Sequence, residues 1–505
     1  MQGISLKKNI IFNYISQIYV TLIGIFMVPF YIKYLGAEAY GLVGFFAMLQ
    51  GWFQLLDMGL TPTIGRETAR FNGGGIDALS LRRLLRALEG VFVGVAILGA
   101  LAMVIGSSAI AREWLKVQQL SLGEVENAIM LMAIIVALRW IGGLYRGAIN
   151  GFERMIWLAG FNTTLATMRF VFVIPFFIYV GATPTHFFGY QLVLAIAELS
   201  FLIIKTYDLF PKLPTEKRIP WEWKPLRDVL RFSLSIAFTG ATWVLVTQTD
   251  KLVLSKLLPL GEYAYFTLAV LAASGVTVIS GPISGALLPR LTRLSAADND
   301  DGLIQLYRNA TQLIALIALP ASLMLAFFAK EFLWVWTGNI DIANDAAPVL
   351  RLYALGNGVL ALGAFPYYLQ FAKGDLKLHL LGSGLFVLLL IPSLIWATLK
   401  YGAVGAGCAW LGANAIYFMC WVPIVHERFF PRLHIKWLLA DIAPIFVIST
   451  LLAFATGRFV QWPNERLPLV IVLVMLGGIL VMASAAGSSW VRSEILKKWR
   501  IRFSG

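Results

Sequence analysis

The chain has 505 residues, 59% hydrophobic and only 13% charged, with a formal net charge of +14 and a mean hydropathy of +0.77. A soluble globular protein carries about 25% charged residues, so this chain cannot cover a soluble surface, and an integral membrane protein is implied. The positive excess suits cytoplasmic loops of such a protein; no basic run interleaved with aromatics marks a nucleic-acid surface, and no nucleic-acid partner is expected.

A membrane span needs about 20 mostly apolar residues. Fourteen segments qualify, at roughly 9–31, 40–60, 87–108, 127–149, 157–180, 184–205, 228–249, 261–284, 309–329, 347–371, 376–398, 403–425, 437–457 and 467–489. Segments 228–249 and 347–371 are the most polar of them. The N-terminal stretch "MQGISLKKNIIFNYISQIYV" resembles a signal peptide, but its apolar run continues past Pro29 without a small-residue cleavage site, and it reads as a retained span. Fourteen spans put both termini on one side. With the termini cytoplasmic, 29 of the 41 Lys and Arg fall in the termini and even-numbered loops, ten in the odd-numbered loops, and Arg139 and Arg169 lie within spans. That asymmetry supports the count and the orientation.

The cytoplasmic stretch 61–86 reads as an amphipathic piece with a glycine hinge at 73–75. The stretch 206–227, rich in Pro and charge, reads as a linker between halves. The basic tail "SSWVRSEILKKWRIRFSG" suits a helix at the inner leaflet, in contact with membrane lipids. No outer loop is long enough for an extracytoplasmic domain. Cys408 and Cys420 sit in one apolar segment, and His186, His379, His426 and His434 are scattered, so neither disulfide nor metal is expected.

Two short stretches echo each other. "YLGAEAYGLVGF" at 34–45 and "LPLGEYAYFTLAV" at 258–270 both follow an apolar segment and open another. "PTIG" at 62–65 returns as "PISG" at 282–285, each followed by a basic piece. The offsets cover six spans, so the copies run the same way through the membrane, as parallel repeats do. The expected architecture is an all-α polytopic membrane protein with 14 transmembrane helices: two six-helix lobes related by a pseudo-two-fold axis, plus two C-terminal helices. The first lobe covers 1–208, a cytoplasmic linker 209–227, the second lobe 228–430, and the last two spans with the basic tail 431–505. A paired-lobe transporter places its substrate at the lobe interface.

Ionisable groups inside the bilayer are costly and mark functional sites. Arg139, Gly143, Arg146 and Asn150 recur on one helical face, as do Asn162 and Arg169, Gln50, Gln54 and Asp57, Asn13, Gln17 and Thr21, and Gln191 and Glu198. Five such stripes imply a water-filled interior. Arginine stays protonated and presents a planar fork to phosphate or carboxylate, so Arg139, Arg146, Arg169, Asn150, Asn162, Gln17 and Gln54 are candidates for an anion-binding cavity. Two readings of Arg139 and Arg169 stand: a cationic ligand site, or structural bridges to Glu198, Glu89 or Asp57. Asp57, Glu198, Asp250 and Lys251 are coupling or gating candidates. Asp250 and Lys251, adjacent on a helix, should not face each other. Gly143, Gly147 and Gly151 form a ridge suited to close helix packing. No P-loop is present, nor any sign of covalent catalysis.

The stretch "LKKNIIFNYISQIYVTLIGIFMVPFYIKYLGAEAYGLVGFFAMLQGWFQLLDMGLTPTIGRETA" resembles the start of Wzx-type polysaccharide (O-antigen and exopolysaccharide) flippases of the multidrug/oligosaccharidyl-lipid/polysaccharide exporter superfamily. "LYRGAINGFERM", "TQTDKLVLSKLLPLGEYAYFTLA" and "YRNATQLIALIALPASL" are similar to later stretches of the same family. The resemblance implies a fold like that of multidrug and toxin exporters, with a central cationic cavity. It implies no enzyme and no cofactor, but transfer of undecaprenyl-pyrophosphate-linked oligosaccharide from the cytoplasmic to the periplasmic leaflet of a bacterial inner membrane. Asp57, Arg146 and Asp250 match polar places in the family pattern. Coupling to a proton or sodium gradient, and a polysaccharide polymerase and chain-length regulator as partners, belong to the same implication. A cation-coupled multidrug exporter and a lipid II flippase are the alternatives; short outer loops argue against a membrane polymerase or ligase.

Overall fold

Helices account for nearly all of the described residues, as a lipid-facing backbone requires, because every N–H and C=O must be satisfied within the segment. The computed structural model describes residues 6–211, 220–278 and 280–493. The linker therefore falls partly, at 212–219, outside the described residues, as does the end of the basic tail at 494–505. The side chains of the "PISG" copy at 282–285 are likewise not described. No strand occurs among the described residues.

Eleven helical stretches among the described residues are long and apolar enough to cross a membrane. Six match the first six expected segments, from Phe12–Leu35 to Pro184–Leu209. Asp300–Phe327, Ile340–Lys373, Leu433–Phe459 and Arg466–Gly487 match the ninth, tenth, thirteenth and fourteenth. The stretch Lys377–Phe429 holds the eleventh and twelfth together: at 53 residues it is far longer than one bilayer crossing, and Gly402 breaks it with φ 60° and ψ −141°, a conformation open to glycine. The polar seventh segment lies within the 34-residue helix Lys224–Leu257, and the eighth begins in Leu260–Val278; neither is among the eleven.

The chain forms two compact units, Met1–Ala264 and Tyr265–Gly505. This division falls after Lys224–Leu257 rather than in the 209–227 linker, and that helix packs on elements of the first unit. The first unit contains α1 (Leu6–Leu35), α2 (Ala37–Phe53), α3 (Leu60–Asn72), α4 (Ala78–Ile105), α5 (Leu122–Gly151), α6 (Met155–Phe170), α7 (Pro184–Leu209) and α8 (Lys224–Leu257). Polar caps set their starts. Asp77 accepts from the Ser80 N–H at 2.6 Å, Ser121 from Glu124, and Thr183 from His186, with Pro184 in the first turn. The glycine hinge at 73–75 separates α3 from α4.

In the middle of this unit α5 packs against α3, α4 and α7. The α5 glycine ridge is a seam against α3, as its spacing suggests. A β-carbon on Gly147 would sit 2.5 Å from the Thr61 carbonyl oxygen, and one on Gly151 2.3 Å from that of Gly65. Leu60, Ile64, Leu84, Leu88, Phe92 and Leu144 close the core beside the seam. Glu38 lies in the first turn of α2. It is buried, and its carboxylate accepts from the backbone N–H groups of Gln118, Gln119 and Leu120 at 2.5–2.9 Å.

The second unit is built on Asp300–Phe327, which packs against Ile340–Gly363 and Ala443–Phe459. Its core surrounds Tyr307, Phe365 and Trp437. Two of the scattered histidines meet here: His426 Nδ1 lies 3.0 Å from His434 Nδ1, and His426 Nε2 2.7 Å from the Tyr307 hydroxyl. No group of three metal-binding side chains forms among the described residues. Arg308 donates twice to the buried Asp441, at 2.6 and 2.9 Å, and Gln312 once.

Candidate functional site

Helices α5 and α7 run the same way through the first unit, so a seven-residue step on one matches a seven-residue step on the other. Arg139 Nη2 donates to Gln191 Oε1 at 2.8 Å, and two turns on Arg146 Nη2 pairs with Glu198 Oε1. Arg169 approaches from α6 and pairs with the second oxygen, Glu198 Oε2; Arg139 Nε stands 4.0 Å from that same oxygen. Arg139 also reaches Gln50 of α2 at 3.2 Å, and Arg146 donates to Asn162 of α6. Phe46 lies under the Arg139 guanidinium at 5.2 Å and Phe161 near that of Arg146 at 5.8 Å, both within cation–π range.

Arg169 owes its position to a break in the helix. α6 stops at Phe170, where the Val171 and Phe172 N–H groups both bond the Thr167 carbonyl. The carbonyls released there find side-chain donors. The Tyr31 hydroxyl bonds the Arg169 carbonyl at 3.0 Å, and the Tyr190 hydroxyl bonds that of Met168 at 2.7 Å.

These side chains line a cavity of about 610 Å³, with Arg139, Arg146, Arg169 and Glu198 joined by Asn13, Gln17, Gln50 and Asn162. Both readings of the arginines are therefore realised in part: they do bridge to Glu198, yet they remain in the cavity wall. Three guanidiniums share one carboxylate, a net formal charge of +2 from these four groups. The Nε of Arg139 and of Arg169 are buried without a hydrogen-bond partner among the described residues. Such a lining favours an oxyanion ligand, because guanidinium forks match phosphate and carboxylate geometry.

A second cavity of about 430 Å³ adjoins the first and shares Arg139 and Gln50 with it. Gln54 and Asp57 line this second space, not the first. The Asp57 carboxylate is held by the Thr61 hydroxyl at 2.5 Å and the Thr61 N–H at 3.2 Å. Three expected residues line neither cavity. Asn150 is exposed at the end of α5, eleven residues beyond Arg139, where the shared face has run out of the site. Asp250 is buried in α8, and Lys251 donates to the Thr247 carbonyl. Contrary to the helical-face argument, Lys251 Nζ comes within 3.5 Å of Asp250 Oδ1, because the long lysine side chain folds back along its own helix. Phe46 and Phe161 were not singled out from sequence; Phe46 stands one turn before Gln50 on the same face, which is the signal that marks it.

A family model described as "Polysaccharide biosynthesis protein" matches residues 6–295, more than half of the chain. The chain belongs to the polysaccharide biosynthesis protein family. A second model, "Lipid II flippase MurJ", matches residues 191–473 of this family member. Among relatives, a Shigella flexneri protein named as a proposed O-antigen transporter is 21% identical over 414 residues, covering 80% of this chain and 94% of its own length. The uncharacterized membrane protein EpsK of Bacillus subtilis is 22% identical over 360 residues, covering 68% and 67%. The fold is shared with a lipid II flippase MurJ in an inward closed conformation, with TM-score 0.75, 15% identity, and coverage of 96% of this chain and 100% of that one. It is shared also with an inward-facing multidrug resistance MATE family transporter of the MOP superfamily, with TM-score 0.66, 14% identity, and coverage of 85% and 96%. The relatives named by activity are transporters and flippases, not enzymes. This member of the family is a multi-pass membrane protein.

Proposed function

We propose that the chain flips an undecaprenyl-diphosphate-linked oligosaccharide from the cytoplasmic to the outer leaflet of a bacterial inner membrane by alternating access, with fourteen spans in two lobes and both termini cytoplasmic. The observation that carries this reading is the sharing of one carboxylate, Glu198, by Arg139, Arg146 and Arg169 around a cavity in the membrane region. A diphosphate diester matches that excess charge, and its oxygens accept from guanidinium forks. Glu198 and the incoming diphosphate compete for the same donors. A proton or sodium gradient is the proposed driving force.

The cationic lining disfavours a multidrug exporter for cationic drugs. A lipid II flippase is the second reading, favoured by the family match over residues 191–473; its substrate is also a lipid-linked diphosphate, so the same site would serve. Surface polysaccharide in cells lacking their own transporter tests the first reading. Wild-type chain restores it, while Arg139→Ala and Arg169→Ala abolish it at normal protein level. Normal polysaccharide in both variants would remove the site assignment. Rescue of cells depleted of their lipid II flippase, without rescue of surface polysaccharide, would select the second reading.

A further inference from the structure

We infer that the second cavity is a glycan subsite, which receives the first sugars of the substrate while the diphosphate lies in the first. This rests on the flippase reading above. The two cavities share Arg139 and Gln50 as a common wall. In a lipid-linked oligosaccharide the first sugar is bonded directly to the diphosphate, so whatever site holds it must adjoin the anion site.

The lining of the second cavity has the chemistry of a sugar site. Phe53, Trp140 and Trp243 supply aromatic surface for the C–H faces of a sugar ring. Trp140 is held in place by stacking on Phe92, ring centres 4.4 Å apart. Polar groups are interspersed among these rings. Trp140 is 8% exposed, and its Nε1–H has no acceptor among the described residues. A buried donor without an acceptor suits a ligand that accepts hydrogen bonds. The Gln54 amide and the Asp57 carboxylate add a mixed donor and acceptor pair on the same wall. Sugar hydroxyls answer both kinds of group at once. A prenyl chain would fill the volume but leave the Trp140 donor and the Gln54 amide unsatisfied. At about 430 Å³ the space lies within the usual range of small-molecule pockets.

Binding to the full-length chain in lipid nanodiscs separates the parts. The two probes are undecaprenyl diphosphate, which carries no sugar, and the lipid-linked oligosaccharide fraction extracted from source cells lacking this chain. Trp140→Phe, which keeps the ring and removes the donor, and Gln54→Leu should each weaken the glycosylated lipid about tenfold, the equivalent of one or two lost hydrogen bonds. Both should leave undecaprenyl diphosphate affinity unchanged. Arg169→Gln should weaken both probes alike. Unchanged affinity for the glycosylated lipid in Trp140→Phe and Gln54→Leu overturns the subsite, and so does an equal loss for both probes, which would mean that the cavity holds lipid or supports the fold. If Arg169→Gln changes neither probe, the diphosphate assignment fails while the sugar subsite is still judged by its own variants. If wild type binds neither probe, both readings fall.

Discussion

Arg146 and Glu198 form an ion pair between two parallel helices, and the same seven-residue step places Arg139 against Gln191. Glu198 is 5% exposed and is the lone carboxylate lining the first cavity among the described residues. Its replacement by glutamine leaves three guanidiniums with no counter-charge. Loss of one partner from a buried pair costs roughly 3 kcal/mol or more, so Glu198→Gln should lower the melting temperature in detergent. Inorganic diphosphate should recover more of that loss in the variant than it adds to wild type, because a ligand stabilises only the state that binds it. A variant as stable as wild type and indifferent to diphosphate would show that the cluster does not depend on this charge.

The glycine seam gives a sharper structural test. Gly147→Ala and Gly151→Ala drive a methyl into backbone carbonyls of α3, at 2.5 and 2.3 Å, where no side chain can swing away. Overpacking of this kind costs roughly 1–3 kcal/mol. Gly123→Ala, on the same helix with nothing within 4 Å of the added carbon, should be neutral. Size-exclusion profiles after heating compare all three.

Asp441 anchors the second unit. It is fully buried, is bonded twice by Arg308 and is joined to Gln312, whose Oε1 accepts from the Ser488 hydroxyl and the Trp490 N–H. Asp441→Ala leaves Arg308 without its partner and should destabilise the protein by roughly 3–5 kcal/mol. Gln312→Ala should spare the ion pair but free the segment around Trp490, seen as faster amide exchange there. Unaltered exchange would show that the segment is held by other groups.

At the start of α4 the Asp77 carboxyl lies below the usual carboxylate range, chiefly because it accepts from the Ser80 N–H. A group whose folded value is depressed contributes stability above its unfolded value and loses it as pH falls through the folded one. Exchange of the first α4 amides, corrected for intrinsic rate, should therefore rise as the medium is acidified below the ordinary aspartate range. Asp77→Asn keeps a capping oxygen and should flatten that dependence; a variant with the wild-type profile would assign it to another group.

Composition and periodicity made the membrane class legible, because a chain with so few charges has no other way to satisfy its surface. The same stripes identified Arg139, Arg146, Arg169, Asn162 and Glu198, since an ionisable side chain in a span needs a reason to be there. Glycine spacing in α5 likewise announced a close helix seam. Helical phase alone did not reveal that Asn150, Asp250 and Lys251 line neither cavity. Phase says which face a residue occupies, not how far along the axis the site extends or where a flexible side chain ends.

Tertiary structure decided the partners. That one carboxylate serves three guanidiniums depends on α5 and α7 being parallel neighbours and on α6 breaking after Phe170 to deliver Arg169. That Gln54 and Asp57 face a separate, aromatic-walled cavity depends on α8 closing its far side with Trp243. The role of Glu38 in holding three backbone N–H groups some eighty residues away is of the same kind. Local sequence sets which residues are costly to bury; only packing between distant segments sets what compensates them.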